Sequence, residues 1–178
     1  MLNIAVLSSS DIKREAVEKT LDLKKYDIYY FNLKDNPDRE TQPLFINGTK
    51  FASKLRFDEF KKHNNIKYDI VISIENGMTP INAENICDYS NMNWCDFCMI
   101  GIMINNDISY YISPLMINIE KEYTKIYFEK YHKNNNIIDT FGKYINNIKN
   151  IPHNNWMKYM YNIDRTEQII QGLKKINL

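Results

Sequence analysis

The sequence predicts an α/β fold with a mixed, twisted central sheet flanked by helices. Three stretches carry that expectation: a strand–turn–helix pattern over residues 2–21, a nearly continuous apolar run at 68–74, and a hairpin pattern across 94–113. The 178 residues fit one domain. A chain of this size buries ~70% of its unfolded surface, enough for a self-sufficient core.

Residues 2–7 (LNIAVL) form a short apolar run that breaks at Ser8-Ser9-Ser10-Asp11. Ile12, Ala16, Val17 and Leu21 then share one helix face, with Asp11 expected as N-cap and Glu15 as first-turn charge. A turn of this kind presents backbone N–H groups at the positive end of a helix. It is either an ordinary capped connection or an anion cradle in which serine hydroxyls and Lys13 join the amides.

Residues 26–33 (YDIYYFNL) read as a second strand. The charged loop 34–43, with two prolines, is long for a connection, which suits a functional loop as well as a solvated one. Residues 49–63 predict a helix capped by Asn47 or Thr49, with Phe51, Leu55, Phe57 and Phe60 as its apolar side. Lys50 and Lys54 in its first half oppose the helix dipole unless an anion is near; otherwise they belong to a solvated face.

The run 68–74 (YDIVISI) predicts a central strand buried on both faces and ending in Glu75-Asn76-Gly77. A carboxylate at the carboxyl end of such a strand lies where α/β proteins place ligands. Glu75 is therefore the leading single candidate, against the alternative of an exposed strand-end acid. Gly77 permits positive φ or close approach. Asp69 opens the same strand at its other end.

Residues 81–93 are expected as a polar loop, and 94–104 and 108–113 as a hairpin turning at Asn105-Asn106-Asp107. Cys95 and Cys98 point to opposite strand faces, so this CxxC cannot share a zinc ion. A helix is expected over 116–132, a break at 133–136, and a further segment over 137–148 containing Asp139, Thr140, Phe141 and Gly142. Pro152-His153 marks a loop. Residues 164–173 predict a last helix with Asp164 as cap and Glu167 completing a capping box. His63, His132 and His153 stand in unrelated polar settings and are expected at the surface.

With 23 basic against 22 acidic residues and no long basic block, duplex nucleic acid is disfavoured as the main partner. No apolar run reaches the ~20 residues that span a bilayer, and the opening run is too short for a signal peptide. A cytoplasmic protein with no membrane partner is expected. Three cysteines argue against a disulfide framework.

Read in order, these segments resemble the inosine/xanthosine triphosphatase family, whose fold is similar to that of inosine triphosphate pyrophosphatases. The family's opening Thr/Ser-Thr/Ser-Asn-Pro-x-Lys turn and helix are matched by Ser9-Ser10-Asp11-Ile12-Lys13 and Ala16, one residue shorter and without the proline. Its Gln-Pro loop and Thr-Arg-x-Gly-Ala-x-x-Arg helix are matched by Gln42-Pro43, Thr49-Lys50, Ala52-Ser53 and Arg56. Its strand from Asp to Ile-Glu-x-Gly is matched by Asp69 through Ile74-Glu75-Asn76-Gly77. Trp94 with residues 109–115, Ile138-Asp139-Thr140-Phe141-Gly142, and Arg165 with Gln171 follow in the family's order. The chain departs from the pattern at Asn47-Gly48 and Lys67, where the family is acidic, and lacks the second glycines near 146–150.

The resemblance implies a hydrolase that needs Mg²⁺ or Mn²⁺ and converts the purine nucleoside triphosphates ITP and XTP to diphosphate and phosphate. It implies that Ser9, Ser10 and the amides near Asp11 hold phosphate oxygens, and that Lys13, Lys50 and Arg56 neutralise the triphosphate. Asp35, Asp69 and Glu75 are the implied metal ligands. Glu75, with Lys13 beside it, is the implied catalytic centre and orients the attacking water. Asn76 and Gln171 are candidate contacts to the base, and Arg165 is a further candidate substrate contact. Family members are often dimers, so a homodimer is possible. The competing class is a diverged relative that binds and sequesters a nucleotide without turning it over.

Overall fold

The computed structural model describes residues 1–33, 41–81, 88–131 and 139–176. Strand β1 (Leu2–Val6) leads into helix α1 (Asp11–Thr20), and β2 (Tyr26–Tyr30) returns parallel to β1. Helix α2 (Phe45–His63) crosses to β3 (Ile70–Pro80), which lies parallel to β1 on its other side. β4 (Trp94–Ile104) runs antiparallel to β3 along its length. β5 (Asp107–Ile112) and β6 (Ile117–Ile119) pair end to end with the far edge of β4. The sheet is thus mixed, with six strands: the order is β2-β1-β3-β4-β5, and β6 pairs β4 beyond the end of β5.

Four more helices follow: α3 (Lys121–Tyr131), α4 (Phe141–Lys149), α5 (Trp156–Tyr161) and α6 (Arg165–Leu173). The period of two along β1 decides the layers. Ile4 and Val6 face α1 and α6, where they meet Ala16, Val17, Ile72, Ile100 and Ile169. Ala5 and Leu7 face α2 and meet Phe57 and Phe60. A third cluster, with Met78, Trp94, Phe128, Phe141 and Trp156, gathers α3, α4 and α5 around the far ends of β3 and β4.

Several expectations are corrected. The N-cap of α1 is Ser10 rather than Asp11, and no side chain closes that cap. Helix α2 begins four residues before Thr49, and the Thr49 hydroxyl donates back to the Phe45 carbonyl. Its buried stripe is Thr49, Ala52, Ser53, Phe57 and Phe60, while Phe51 is 50% exposed. Small residues face the sheet because the helix sits close to it: a Cβ on Gly101 would lie 2.5 Å from Ser53 Oγ, and one on Gly77 would overlap Thr49 Oγ1. Close approach, not positive φ, is what Gly77 supplies.

The helix expected from 116 is delayed, because Ile117 and Ile119 alternate inward as β6 before α3 begins. Helix α5 lies between the Pro152-His153 loop and the last helix, where no element was expected. Asp164 does cap α6, accepting from the Thr166 N–H, but Glu167 bonds Gln171 instead of reaching back. The 94–113 hairpin forms as expected, with Asn105 and Asn106 both at positive φ, as a two-residue hairpin turn requires. Among the described residues, no helix is long and apolar enough to cross a membrane.

Candidate functional site

The parallel ladder of β1 with β3 ends at Val6 opposite Ile72, while β3 continues eight residues further against β4. Glu75 is therefore mid-strand, not at the strand's end. The antiparallel partner β4 extends the ladder and leaves Glu75 just beyond the carboxyl end of β1, beside the start of α1. Here the sheet has lost one neighbour, and a cavity of about 290 Å³ opens. That volume is at the lower end for small-molecule sites.

One side of the cavity is formed by Ser10 and Lys13 of α1, Arg56 of α2, and Glu75 and Asn76 of β3. The other is formed by residues 41–43, the start of α4 at Thr140–Gly142, His153, Asn154 and Trp156. Asp96 of β4 and Arg165 of α6 close the wall between them. The second side is tied together by Gln42, whose Oε1 accepts from the Phe141 N–H at 3.1 Å, and by edge-on packing of Phe141 and Trp156.

Two ion pairs flank the cavity. The Arg56 Nε–H donates to Glu75 Oε1, and its Nη1–H donates to the Leu7 carbonyl at 3.1 Å. Arg165 grips Asp96 with both terminal nitrogens, at 3.3 and 3.1 Å. Glu75 is 6% exposed and Asp96 4%. Burial pushes the Asp96 carboxyl above the ordinary carboxylate range, and the Arg165 guanidinium and Gln168 amide oppose that rise. Lys13 Nζ donates to the Ile74 carbonyl at 2.5 Å, which holds its ammonium at the cavity wall.

Of the sequence-predicted site residues, Ser10, Lys13, Arg56, Glu75, Asn76 and Arg165 converge here. Ser9 and Asp11 are exposed beside the cavity and do not line it. Lys50 lies elsewhere, its ammonium 5.0 Å from the centre of the Tyr110 ring, because α2 presents it toward β5. Gln171 is a helical turn beyond Glu167 and bonds it at 2.5 Å, away from the cavity. Asp69 lies six residues before Glu75 on an extended strand, about 20 Å away, and accepts from the Asn3 N–H at 2.8 Å. It cannot share a metal ion with Glu75. Asp35 lies outside the described residues, as does His132.

His153 is exposed as expected, yet it stands on the cavity rim. Asp96, Gln168, Phe141 and Trp156 were not anticipated as site residues. Asp96 carried a signal: it is the one charged residue in the otherwise apolar WCDFCMI run. Cys95 and Cys98 are both buried, and burial raises their thiols to about 11 and about 12.

Among the described residues, no group of three or more His, Cys, Asp or Glu side chains is placed to hold a metal ion. The carboxylates at the cavity are Glu75 and Asp96, each engaged by a guanidinium. Glu75 is a hard oxygen donor in the wall. Its donor type is the one that Mg²⁺ and Mn²⁺ take.

No family model matches the chain. It is 28% identical over 91 residues to a protein provisionally designated structural protein VP3 in Fiji disease virus (isolate Sugarcane). The match spans 51% of this chain and only 8% of that protein. In three dimensions the chain is similar to protein VC0702 from Vibrio cholerae, with a TM-score of 0.67 at 11% sequence identity. That likeness covers 97% of this chain and 91% of the other, and it shows the fold: an open mixed sheet with helices on its faces.

Proposed function

We propose that the cavity binds a purine nucleoside triphosphate and that the chain hydrolyses ITP and XTP to the diphosphate and phosphate with Mg²⁺ or Mn²⁺. The observation that carries this reading is the placement of the two ion pairs. Among the described residues, the pairs buried on both sides are Arg56–Glu75 and Arg165–Asp96, and both border one cavity. Buried pairs return little to stability, since desolvation offsets their attraction. Their gathering around a cavity with Lys13 and the start of α1 suits the recognition of a polyanion.

Three cations against two carboxylates leave the lining with a small positive charge. A triphosphate is more negative than that, so an accompanying divalent cation completes the neutralisation. The ion, when bound, polarises the phosphoryl oxygens and neutralises developing charge. Glu75 would share it with the phosphates and orient the attacking water. Lys13 and Arg56 would steady the phosphate oxygens, and Phe141 and Trp156 would flank the base. The order of family-like motifs along the chain supports the same assignment.

A second reading is binding without turnover. It is favoured by the arginine already held on each carboxylate, and it agrees with a partial likeness to a protein named as structural. Phosphate release from ITP, XTP, GTP and ATP with Mg²⁺ or Mn²⁺ separates the two. Release from ITP and XTP that is lost in Glu75→Gln, with the variant's fold checked by circular dichroism, supports the hydrolase. Nucleotide-dependent thermal stabilisation without release supports the binding protein, and neither effect refutes a nucleotide site altogether.

A further inference from the structure

Behind the cavity wall lies a chain of polar side chains whose directions are set by the Asp96 carboxylate, with longer support from the Asp96 carbonyl to Gln168 at 3.5 Å and from the Phe97 carbonyl to Asn76 at 3.4 Å. Asp96 Oδ1 receives Arg165 Nη1 at 3.3 Å and Gln168 Nε2 at 3.1 Å, and Oδ2 receives Arg165 Nη2 at 3.1 Å. All three partners are N–H donors, so at this wall the Asp96 carboxyl oxygens serve as acceptors. Gln168 is fully buried and must turn its amino group to Asp96. Its carbonyl oxygen then faces Asn76, which must turn its own amino group back, at 3.0 Å. The same Asn76 nitrogen also donates to the Phe97 carbonyl at 3.4 Å. Both Asn76 N–H groups are thereby committed, and what Asn76 can offer a ligand is an acceptor.

We infer that Asp96, acting through Gln168, fixes the hydrogen-bond polarity of the cavity wall at Asn76, so that the wall selects a base edge that donates an N–H, as the N1–H of a 6-oxopurine does. The inference rests on the nucleotide reading above and assigns its base selectivity to two positioning residues. Asp96 lies in the wall and Gln168 behind it. The order of the relay follows from its partners: a carboxylate held by a guanidinium accepts, an amide has one donor end and one acceptor end, and two amides in series carry the direction outward. An amide at position 96 has no fixed direction, so Asp96→Asn frees the relay to invert and lets Asn76 present its N–H₂ instead. Adenine illustrates the selection: its ring N1 is an acceptor and meets the Asn76 oxygen with no proton between them.

The test is calorimetric binding of inosine 5′-(β,γ-imido)triphosphate and its N1-methyl counterpart, with Mg²⁺, to the full chain. Wild-type protein is expected to bind the N1–H analogue about 10–100-fold more tightly, the range for leaving a buried acceptor unpaired. Gln168→Met conserves bulk and leaves the Arg165–Asp96 pair in place; there the ratio should fall to within about threefold of unity, because Asn76 loses its 3.0 Å bond and keeps only the long one to the Phe97 carbonyl. Asp96→Asn should shrink the ratio likewise, and if that variant fails to fold, Gln168→Met decides the matter. Equal binding of both analogues by wild-type protein overturns the relay while leaving a triphosphate site standing. A ratio unchanged in Gln168→Met also overturns it, since simple exclusion of the methyl group would survive that substitution. Binding of neither analogue overturns the nucleotide reading itself.

Discussion

Breaking the Arg56–Glu75 pair from either side should destabilise the protein, and removing both charges together should restore it. The side chains are 14% and 9% exposed, and Arg56 also donates to the Leu7 carbonyl. Removing one partner of a buried pair costs about 3–5 kcal/mol, because the other charge stays buried without its counter-ion. This pair faces a cavity that water can enter, so the lower end, about 3 kcal/mol, is expected for Glu75→Gln or Arg56→Met. In a chain of this length that corresponds to a fall in Tm of about 6–12 °C. The double variant Arg56→Met/Glu75→Leu replaces the pair by apolar groups of similar volume and should return to within about 1 kcal/mol of wild type. Urea unfolding followed by circular dichroism supplies the cycle, and calorimetry with an imido-triphosphate supplies the function. The double variant should be stable and lack nucleotide affinity. A double variant as unstable as the sum of the singles would refute the argument, since additivity means that the two groups do not act as a pair.

Gly101→Ala should lower the urea midpoint by the equivalent of about 1–3 kcal/mol, because the new methyl meets Ser53 Oγ at 2.5 Å and Phe57 Cε2 at 2.9 Å. Thr140→Ala removes the hydroxyl that accepts from the Lys143 N–H and should cost about 1 kcal/mol, read in the same titration. Native Cys98, with its thiol raised to about 12, should resist iodoacetamide at pH 8, where about one thiol in 10⁴ is ionised. Peptide mass mapping should find Cys98 labelled only after unfolding in urea. The sign is fixed by the raised value: reactivity increases with pH and stays low throughout the neutral range.

Local pattern carried most of the architecture. The β1–turn–α1 unit and the β4–β5 hairpin were legible because residues 2–20 and 94–112 show clean periodicity with turn residues between. Helix α5 and strand β6 were not, because six and three residues are too short to establish a period, and it is packing against Trp94 and Phe141 that orders them. At the site, Lys13, Arg56, Glu75, Asn76 and Arg165 were named from sequence. Lys13 and Arg165 stand in the first turn of a helix, and Arg56, Glu75 and Asn76 stand at the spacing of a motif although each lies mid-element. Asp96 and Gln168 lie inside an apolar strand and an amphipathic helix, separated by 72 residues. Only the antiparallel register of β3 and β4, which sets Asp96 opposite Met78 and brings α6 over that strand, makes them neighbours.

The same register explains why one cavity has two differently built sides. Glu75 and Asn76 are successive residues on β3, so they leave the strand on opposite faces. Glu75 turns to the α2 face and meets Arg56. Asn76 turns to the α6 face and meets Gln168, and through it Asp96 and Arg165. In the middle of a sheet these two groups would be separated by the sheet itself. Here β1 ends at Val6, and the missing neighbour opens a window through which both faces reach the same space. The α2 side brings a cation and a carboxylate together beside Lys13, which suits phosphate. The α6 side brings a guanidinium and a directed amide, which suits the edge of a base. The cavity is thus lined from both layers of the fold, Arg56 and Glu75 from the α2 side and Lys13, Asn76 and Arg165 from the α1–α6 side.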